Sequence, residues 1–345
     1  MPLALRKIAV IGSGLQATRR APAIVEDPRY EIGWFVDRQL DRAEKLSKQF
    51  GGRAVTQWKD AIQDPEVFAV LVLTYPDSHA EISIAAMEAG KHVLCEKPLC
   101  RTEEEAERMV IASRKTGMIL NCGFNHRFHP AVKEAYRLFH EGKIGKPVFG
   151  RGRYGIAGRE GIEKEWRSNP QIVGGGQLME QGIHLIDLFS LFLGDMKRVT
   201  GMAATNKWPI TPLEDNGFVL MQTKEGVISS IHSSLTQWIN LFEFELYGEK
   251  GSLSITGLGA SYGVEKLTVS LHDPSGPFSH STTEYRGGDS SWKAEWQGFT
   301  QSIEMSNSDS KPVMPPGGSM DGLRAMRIVK AVYTASETGK TVDLD

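Results

Sequence analysis

Cysteine is scarce in this chain. Its 345 residues hold three, Cys95, Cys100 and Cys122, an odd number with no C-x-x-C spacing, which argues against a disulfide framework or a cysteine zinc site. All three flank apolar strand-like runs, where thiols are commonly buried. An excess of either charge is also missing: 40 Lys and Arg stand against 42 Asp and Glu, a formal net charge of -2. No basic block marks a nucleic-acid or anionic membrane surface, and no apolar run reaches the length that crosses a bilayer. Met1 leads almost directly into a strand, which leaves no room for a secretory signal. There is no internal repeat or low-complexity segment. With 40% hydrophobic and 24% charged residues, the expectation is a cytoplasmic globular protein with two domains and neither nucleic acid nor membrane as partner.

What is present begins with Lys7-Ile-Ala-Val-Ile11, a continuous apolar run that reads as a buried parallel strand. It opens into Gly12-Ser-Gly14-Leu-Gln-Ala17, the G-x-G-x-x-A form of a dinucleotide fingerprint, followed by a helix over 15–26. Gly12 permits the tight turn, Gly14 lets the backbone approach a pyrophosphate, and Ala17 lets the helix pack closely. Leu15 and Gln16 begin the helix at its anion-attracting end. The second strand, 32–36, ends in Asp37, spaced to accept hydrogen bonds from the adenosine ribose hydroxyls. Its charge would repel a 2′-phosphate and favours NAD(H). Arg38, a neighbouring guanidinium, leaves NADP(H) open. Alternatively, Asp37 is a solvated strand-end carboxylate.

Helix 40–50, strand 68–73, helix 78–89, helix 102–116 and strand 118–121 continue the alternation, which predicts a doubly wound parallel sheet. Thr74-Tyr75-Pro76 ends one strand on the ligand side. His79 either touches the cofactor there or lies at a surface helix start. The next strand, Val93–Cys95, delivers Glu96, Lys97 and Pro98 in succession. Proline cannot continue a central ladder, so Lys97 stands at the carboxyl end of the sheet, where such folds bind ligands. The plainer reading is a strand-end ion pair and turn.

Together these motifs resemble the Gfo/Idh/MocA oxidoreductases, the glucose–fructose oxidoreductase and inositol dehydrogenase superfamily. The resemblance rests on G-x-G-x-x-A at 12–17, T-x-P-x-x-H at 74–79, Glu96-Lys97-Pro98, Asn125-His-Arg127-Phe, and Gly174-Gly-Gly-Gln-Leu-Met-Glu-Gln-Gly-Ile-His184-Leu-Ile-Asp187. It implies a Rossmann domain over 1–123 and an α+β domain over 124–345, whose large open, mainly antiparallel sheet forms a homodimer or homotetramer. It also implies that Glu96, Lys97 and Asn125 lie near the nicotinamide, that Arg127 faces substrate, and that His184 is the acid/base residue. Glu180 stands where the family usually has aspartate.

The second half offers further candidates. Residues 151–170 interleave Arg151, Arg153, Arg159, Lys164 and Arg167 with Tyr154 and Trp166, a mixture suited to hydrogen-bonding and stacking on a polyhydroxylated or anionic ligand. The alternative is a solvated loop neutralised by Glu160, Glu163 and Glu165. Trp166-Arg167 resembles a family active-site pair. Residues 177–193 are apolar on nearly every side and should form a buried helix. Yet Glu180, His184 and Asp187 share one face, beside Gln181, and buried ionisable groups need partners or a function. His126 and His129 have metal-like spacing, but no third ligand stands nearby. Alternating strands over 198–271 predict one buried sheet face, and helices are expected at 292–306 and 319–338.

The chemistry expected is hydride transfer between NAD(P)(H) and a secondary alcohol or ketone of a sugar, nucleotide-sugar or cyclitol. His184 would take the hydroxyl proton, Lys97 would stabilise the charge developing on the same oxygen, and Glu180 would orient or tune the pair. Two alternatives remain: a non-catalytic dinucleotide-binding regulator, and an enzyme that cleaves glycosides through transient oxidation.

Overall fold

The computed structural model describes residues 5–306 and 314–344. Met1 and Asp345, the outer limits of the two expected domains, lie outside them. The chain forms two compact units, Met1–Asn125 with Trp292–Leu323, and His126–Ser291 with Arg324–Asp345.

In the first unit the apolar runs become β1 (Arg6–Ile11), β2 (Tyr30–Val36), β3 (Arg53–Val55), β4 (Val67–Val72), β5 (His92–Cys95) and β6 (Leu120–Cys122). They pair in the order β3-β2-β1-β4-β5-β6, parallel throughout. The crossovers are α1 (Leu15–Val25), α2 (Leu40–Phe50), α3 (Trp58–Gln63), α4 (Pro76–Glu88) and α5 (Glu103–Thr116). Strand order reverses between β1 and β4, so a crevice opens beyond their carboxyl ends, the position where such sheets take ligands. Thr102 caps α5, its side chain accepting from Glu105 N. Gly117 ends that helix in the left-handed conformation, as capping rules require.

The expected boundary at 123/124 assigned the helix Ser291–Glu304 to the second half. It packs instead on the first unit, where Trp296 and Phe299 join Ile24, Tyr30 and Phe35 in one core. The Trp296 ring meets Tyr30 edge-on at 5.1 Å. Local periodicity showed a helix there and gave no sign of which core it serves.

The second unit contains α6 (Pro130–His140), the strand β7 (Pro147–Ala157), the single turn α7 (Pro170–Val173) and α8 (Ile183–Leu193). Strands β8 (Met196–Ala204), β9 (Asn216–Thr223), β10 (Ile228–Ser234), β11 (Thr236–Gly248), β12 (Gly251–Thr256), β13 (Glu265–Leu271), β14 (Ser279–Tyr285) and β15 (Val342–Asp343) follow. They form one nine-stranded sheet in the order β14-β13-β12-β11-β7-β10-β9-β8-β15. Only β7 and β10 run parallel; every other pair is antiparallel. Along β11, Phe242, Phe244 and Leu246 are buried while Glu243 and Glu245 face outward. α8 packs against the inner face. A side chain at Gly150 of β7 would lie 2.5 Å from the Phe189 ring, so glycine there is what lets helix and sheet approach. Ile183, Leu185, Ile186, Leu188 and Phe189 are fully buried, each worth about 1.5–3 kcal/mol of apolar burial. This helix is therefore a rigid support for the polar groups it carries.

Candidate active site

On the first unit the glycine turn is built as its sequence requires. Gly12 has φ +100°, and a Cβ there would sit 2.5 Å from the Leu73 carbonyl carbon. β1 and β4 thus approach closely enough that only glycine fits. Nothing lies within 4 Å of where a Gly14 Cβ would be, so the turn is open on that side. Leu15 is exposed and Gln16 half-buried at the start of α1. Asp37 is fixed by two main-chain donors: Ser13 N to Oδ2 at 2.9 Å and Gln39 N to Oδ1 at 3.0 Å. Its carboxylate is thereby tied to the glycine turn, where a ribose diol would need it. Arg38 is exposed, with its guanidinium 5.6 Å from the Tyr75 ring centre. An open glycine turn, a helix N-terminus and an anchored carboxylate fit a dinucleotide with an unphosphorylated ribose.

Lys97 is half-buried beyond β5, and its bond to Pro98 is cis. Its neighbours are held firmly. Glu96 is buried and accepts from Arg20 Nη2 at 2.5 Å, and the same guanidinium donates to Glu295. Glu96 is thus an internal anchor of the strand end. His79 corrects both expectations for it. The ring is wholly enclosed, with Nδ1 3.0 Å from Pro98 O and Nε2 3.1 Å from Thr74 O. Burial pushes its pKa below the usual histidine value, against the pull of the two carbonyls. It joins the ends of two strands and has no surface left for a ligand. Thr74 and Tyr75 are half-buried and Pro76 opens α4. Asn125 is buried, ending the first unit.

The second unit brings together His126, Tyr154, Gln181 and His184. Residues Leu178–Gly182 form a wide π-turn leading into α8, a local irregularity often found at functional positions. Its opening donors are satisfied by Glu214, which accepts from Gly176 N at 3.0 Å and Leu178 N at 2.8 Å, and from Tyr333 Oη at 2.9 Å. Burial raises the Glu214 pKa, against those donors. His184 stacks face-to-face on His126, ring centres 3.7 Å apart. His126 Nε2 lies 3.1 Å from Tyr154 Oη, and Gln181 Nε2 donates to Tyr262 Oη at 3.1 Å. Glu180 is half-buried and accepts from Arg167 Nε at 3.3 Å, while the Arg167 guanidinium lies 4.3 Å over Trp166.

Arg127 departs from its expected role facing substrate. It is 1% exposed and forks onto Asp187, with Nε to Oδ2 at 2.8 Å. The basic stretch 151–170 is largely neutralised: Arg151 pairs with Glu245, Arg153 with Glu243 and Arg159 with Glu165. Arg159 is exposed in that pair. Among the described residues no group of three His, Cys, Asp or Glu is arranged to hold a metal ion, and no helix is long and apolar enough to cross a membrane.

Residues 6–124 match the family model described as an oxidoreductase family with an NAD-binding Rossmann fold, and residues 132–254 match the GFO/IDH/MocA C-terminal domain. A 3-reductase of dTDP-3,4-didehydro-2,6-dideoxy-alpha-D-glucose from Actinomadura kijaniata is 30% identical over 249 residues, 72% of this chain and 73% of that protein. The chain belongs to the Gfo/Idh/MocA oxidoreductase family. A levoglucosan dehydrogenase from Pseudarthrobacter phenanthrenivorans is 35% identical over 188 residues, 53% of this chain. That match spans 48% of the dehydrogenase, about half its length. The solved structure of a levoglucosan dehydrogenase with NADH and levoglucosan has the same fold, with a TM-score of 0.89 at 24% identity over 98% of this chain and 99% of that one.

Membership accounts for the first unit as the family's NAD-binding domain. Two residues of the second unit escaped the sequence reading of site roles. In the sequence His126 suggests only a metal ligand, because the ring it stacks on, His184, lies 58 positions on. Glu214 gave one available signal, an acidic pair Glu214-Asp215 set among apolar residues.

Proposed function

We propose that this family member transfers a hydride between NAD(H) and a secondary alcohol or ketone of a sugar, nucleotide-sugar or cyclitol. NAD, when bound, supplies the hydride acceptor or donor. Gly12, Gly14 and the start of α1 would hold its pyrophosphate, and Asp37 its ribose hydroxyls. Lys97 hydrogen-bonds the reacting oxygen and stabilises its developing charge. His184 takes that oxygen's proton, and Glu180, held by Arg167, sets the field around the imidazole. Trp166 offers an aromatic face to a sugar ring. The relatives' names support the substrate class, being enzymes of levoglucosan and of a dTDP-linked keto sugar.

The observation that carries the reading is His184 itself: a buried imidazole on a rigid apolar helix, preceded by a π-turn and a partly exposed carboxylate. Such placement suits proton transfer more than core packing. The test is product analysis with NAD+ and a panel of anhydro sugars, aldoses, cyclitols and nucleotide-sugars. A ketone formed with stoichiometric NADH supports the proposal. A cleaved aglycone points to glycoside cleavage, and no product from any compound points to a regulator.

The division of labour follows: the first unit, Met1–Asn125 with Trp292–Leu323, binds the dinucleotide, and the second, His126–Ser291 with Arg324–Asp345, recognises substrate and self-associates. A groove of about 740 Å³ on the outer sheet face is lined by Met202, Phe218, Leu220 and the Arg151 and Arg153 ion pairs. This exposed apolar strip supports a homodimer or homotetramer. The same reading places the enzyme in the cytoplasm.

A further inference from the structure

The π-turn that leads into α8 is not capped by its own first residue: Gln177 makes no side-chain cap hydrogen bond. The amides that open the turn are taken by a residue 36 positions beyond Leu178. Glu214 accepts from Gly176 N at 3.0 Å and from Leu178 N at 2.8 Å through its two carboxylate oxygens. Its main-chain oxygen accepts from Gln177 N, also at 3.0 Å. Three successive amides thus close on one residue. We infer that Glu214 is a positioning residue, which fixes where the π-turn starts and through it where Glu180 and His184 stand. The inference rests on the acid–base role proposed for His184.

The clamp is itself locked. Glu214 is buried, and Tyr333, on the last helix Ser319–Thr338, donates from Oη to its Oε1 at 2.9 Å. The glycines before the π-turn are shaped to these two residues. A Cβ at Gly176 would lie 2.2 Å from Glu214 O, and one at Gly175 would lie 2.4 Å from Tyr333 Oη. Any larger residue at either position would push the turn off its anchor.

The held backbone passes its position on. Gly176 O accepts from Glu180 N at 2.9 Å, and Gln177 O accepts from Ser233 Oγ of β10 at 2.8 Å. The peptides of 176 and 177 are therefore gripped at both their N–H and their C=O groups. Glu180, with Arg167 on its carboxylate, follows the Gly176 carbonyl. His184 follows one turn later on α8, whose closely packed apolar side chains make it shift as a rigid body. An ordinary helix start is served by one Ser, Thr, Asp or Asn at its first position. A clamp built from two distant elements and set on a π-turn suits a site whose side chains must stay within about 0.5 Å of a working geometry.

The experiment compares the unmodified protein with Glu214→Gln, Tyr333→Phe and the double variant. Glutamine keeps the size of the side chain but turns an NH₂ group toward a donor, so one anchor of the turn is lost. Phenylalanine keeps the ring and deletes only the lock. Protein labelled with ¹³C-histidine is compared by NMR at one pH, with the His184 resonance assigned by its loss in His184→Gln. Because His184 stacks on His126 at 3.7 Å, that resonance reports a displacement of the ring and needs no substrate. The single-turnover rate with the substrate found by the product panel is measured alongside, with NADH affinity and melting temperature. Glu214→Gln should move the His184 resonance and slow hydride transfer by about 10–10²-fold, the scale set by a displacement of roughly 1 Å. NADH affinity should stay unchanged. Tyr333→Phe should act the same way by less, and the double variant should be no slower than Glu214→Gln, since the lock acts only through the carboxylate. An unmoved His184 resonance in both single variants, even with a lower melting temperature, would mean that Glu214 only caps a helix, and would overturn the inference. A normal rate beside a shifted resonance would overturn it too. Should Glu214→Gln fail to fold, Tyr333→Phe alone decides by the same criteria. Failure of the underlying reading looks different: turnover survives His184→Ala, whatever the two clamp variants do.

Discussion

The guanidinium of Arg127 and the carboxylate of Asp187 form a fully enclosed ion pair that fastens the 125–128 turn to α8. Asp187 lies one turn beyond His184 on the same helix, so the pair fixes the pitch at which α8 presents His184 to His126. A buried pair like this contributes little net stability over an apolar substitute, but losing one partner strands a charge. Arg127→Met should therefore destabilise the protein by about 3–5 kcal/mol, and Arg127→Met with Asp187→Leu should recover most of that. Urea unfolding of the three proteins measures it. A variant that unfolds normally yet loses substrate affinity would return Arg127 to the substrate-facing role that the resemblance implied.

Cofactor choice follows from the anchoring of Asp37 by Ser13 N and Gln39 N. NADH should bind more tightly than NADPH, and Asp37→Ala should narrow the gap by removing both the ribose acceptor and the repulsion of a 2′-phosphate. Fluorescence titration with each nucleotide tests this. Equal affinities in the unmodified protein would contradict the assignment.

His184→Ala should lower turnover by roughly 10²–10⁴-fold, the usual contribution of general acid–base catalysis, with NADH affinity nearly unchanged. Stopped-flow measurement of NADH formation with the identified substrate gives the number. Intact turnover would make His184 a core histidine.

Acid stability has a separate source in Asp215. Burial alone would raise its pKa, but the N–H groups of Asn206, Trp208 and Lys207 and the Asn216 amide outweigh it and hold the carboxyl below its usual 3.8. A depressed folded-state value means stability that is present above the unfolded pKa and lost as pH falls through the folded one. Asp215→Asn should cost about 1–3 kcal/mol at neutral pH. It should also flatten the loss of stability below about pH 4, the range where an unfolded aspartate begins to protonate. Melting temperature against pH for the two proteins checks the sign; parallel curves would contradict it.

Much of the fold was legible because its signals are local. Continuous apolar runs mark β1, β4 and β5, Gly12 and Gly14 mark the turn, and alternation in β11 marks a one-sided sheet. What escaped depends on partners distant in sequence. β3 and β15 span three and two residues, too few for a period to show. The sequence predicts the last strand of the first unit at 118–121, whereas it spans Leu120–Cys122, where it pairs with β5. His79 looked like a surface or cofactor residue because nothing in T-x-P-x-x-H reveals that Pro98 O lies 3.0 Å away. Arg127 likewise looked free until Asp187, 60 positions later, came to meet it. Residue type and spacing announced the candidate chemistry; only packing showed which candidates act and which hold others in place.

Lys97 carries the central claim, that the strand end after β5 is catalytic and more than an anchored turn. Glu96 and Pro98 on either side are held by Arg20 and His79, which anchors the turn on both sides of the lysine. Lys97→Met keeps the stem and deletes the charge. The decisive measurement is the single-turnover rate of hydride transfer, taken with NADH affinity and melting temperature on the two proteins. The account predicts unchanged melting and NADH binding with a rate lower by on the order of 10²–10³-fold. A Lys97→Met protein that melts early yet reacts at the normal rate would contradict it.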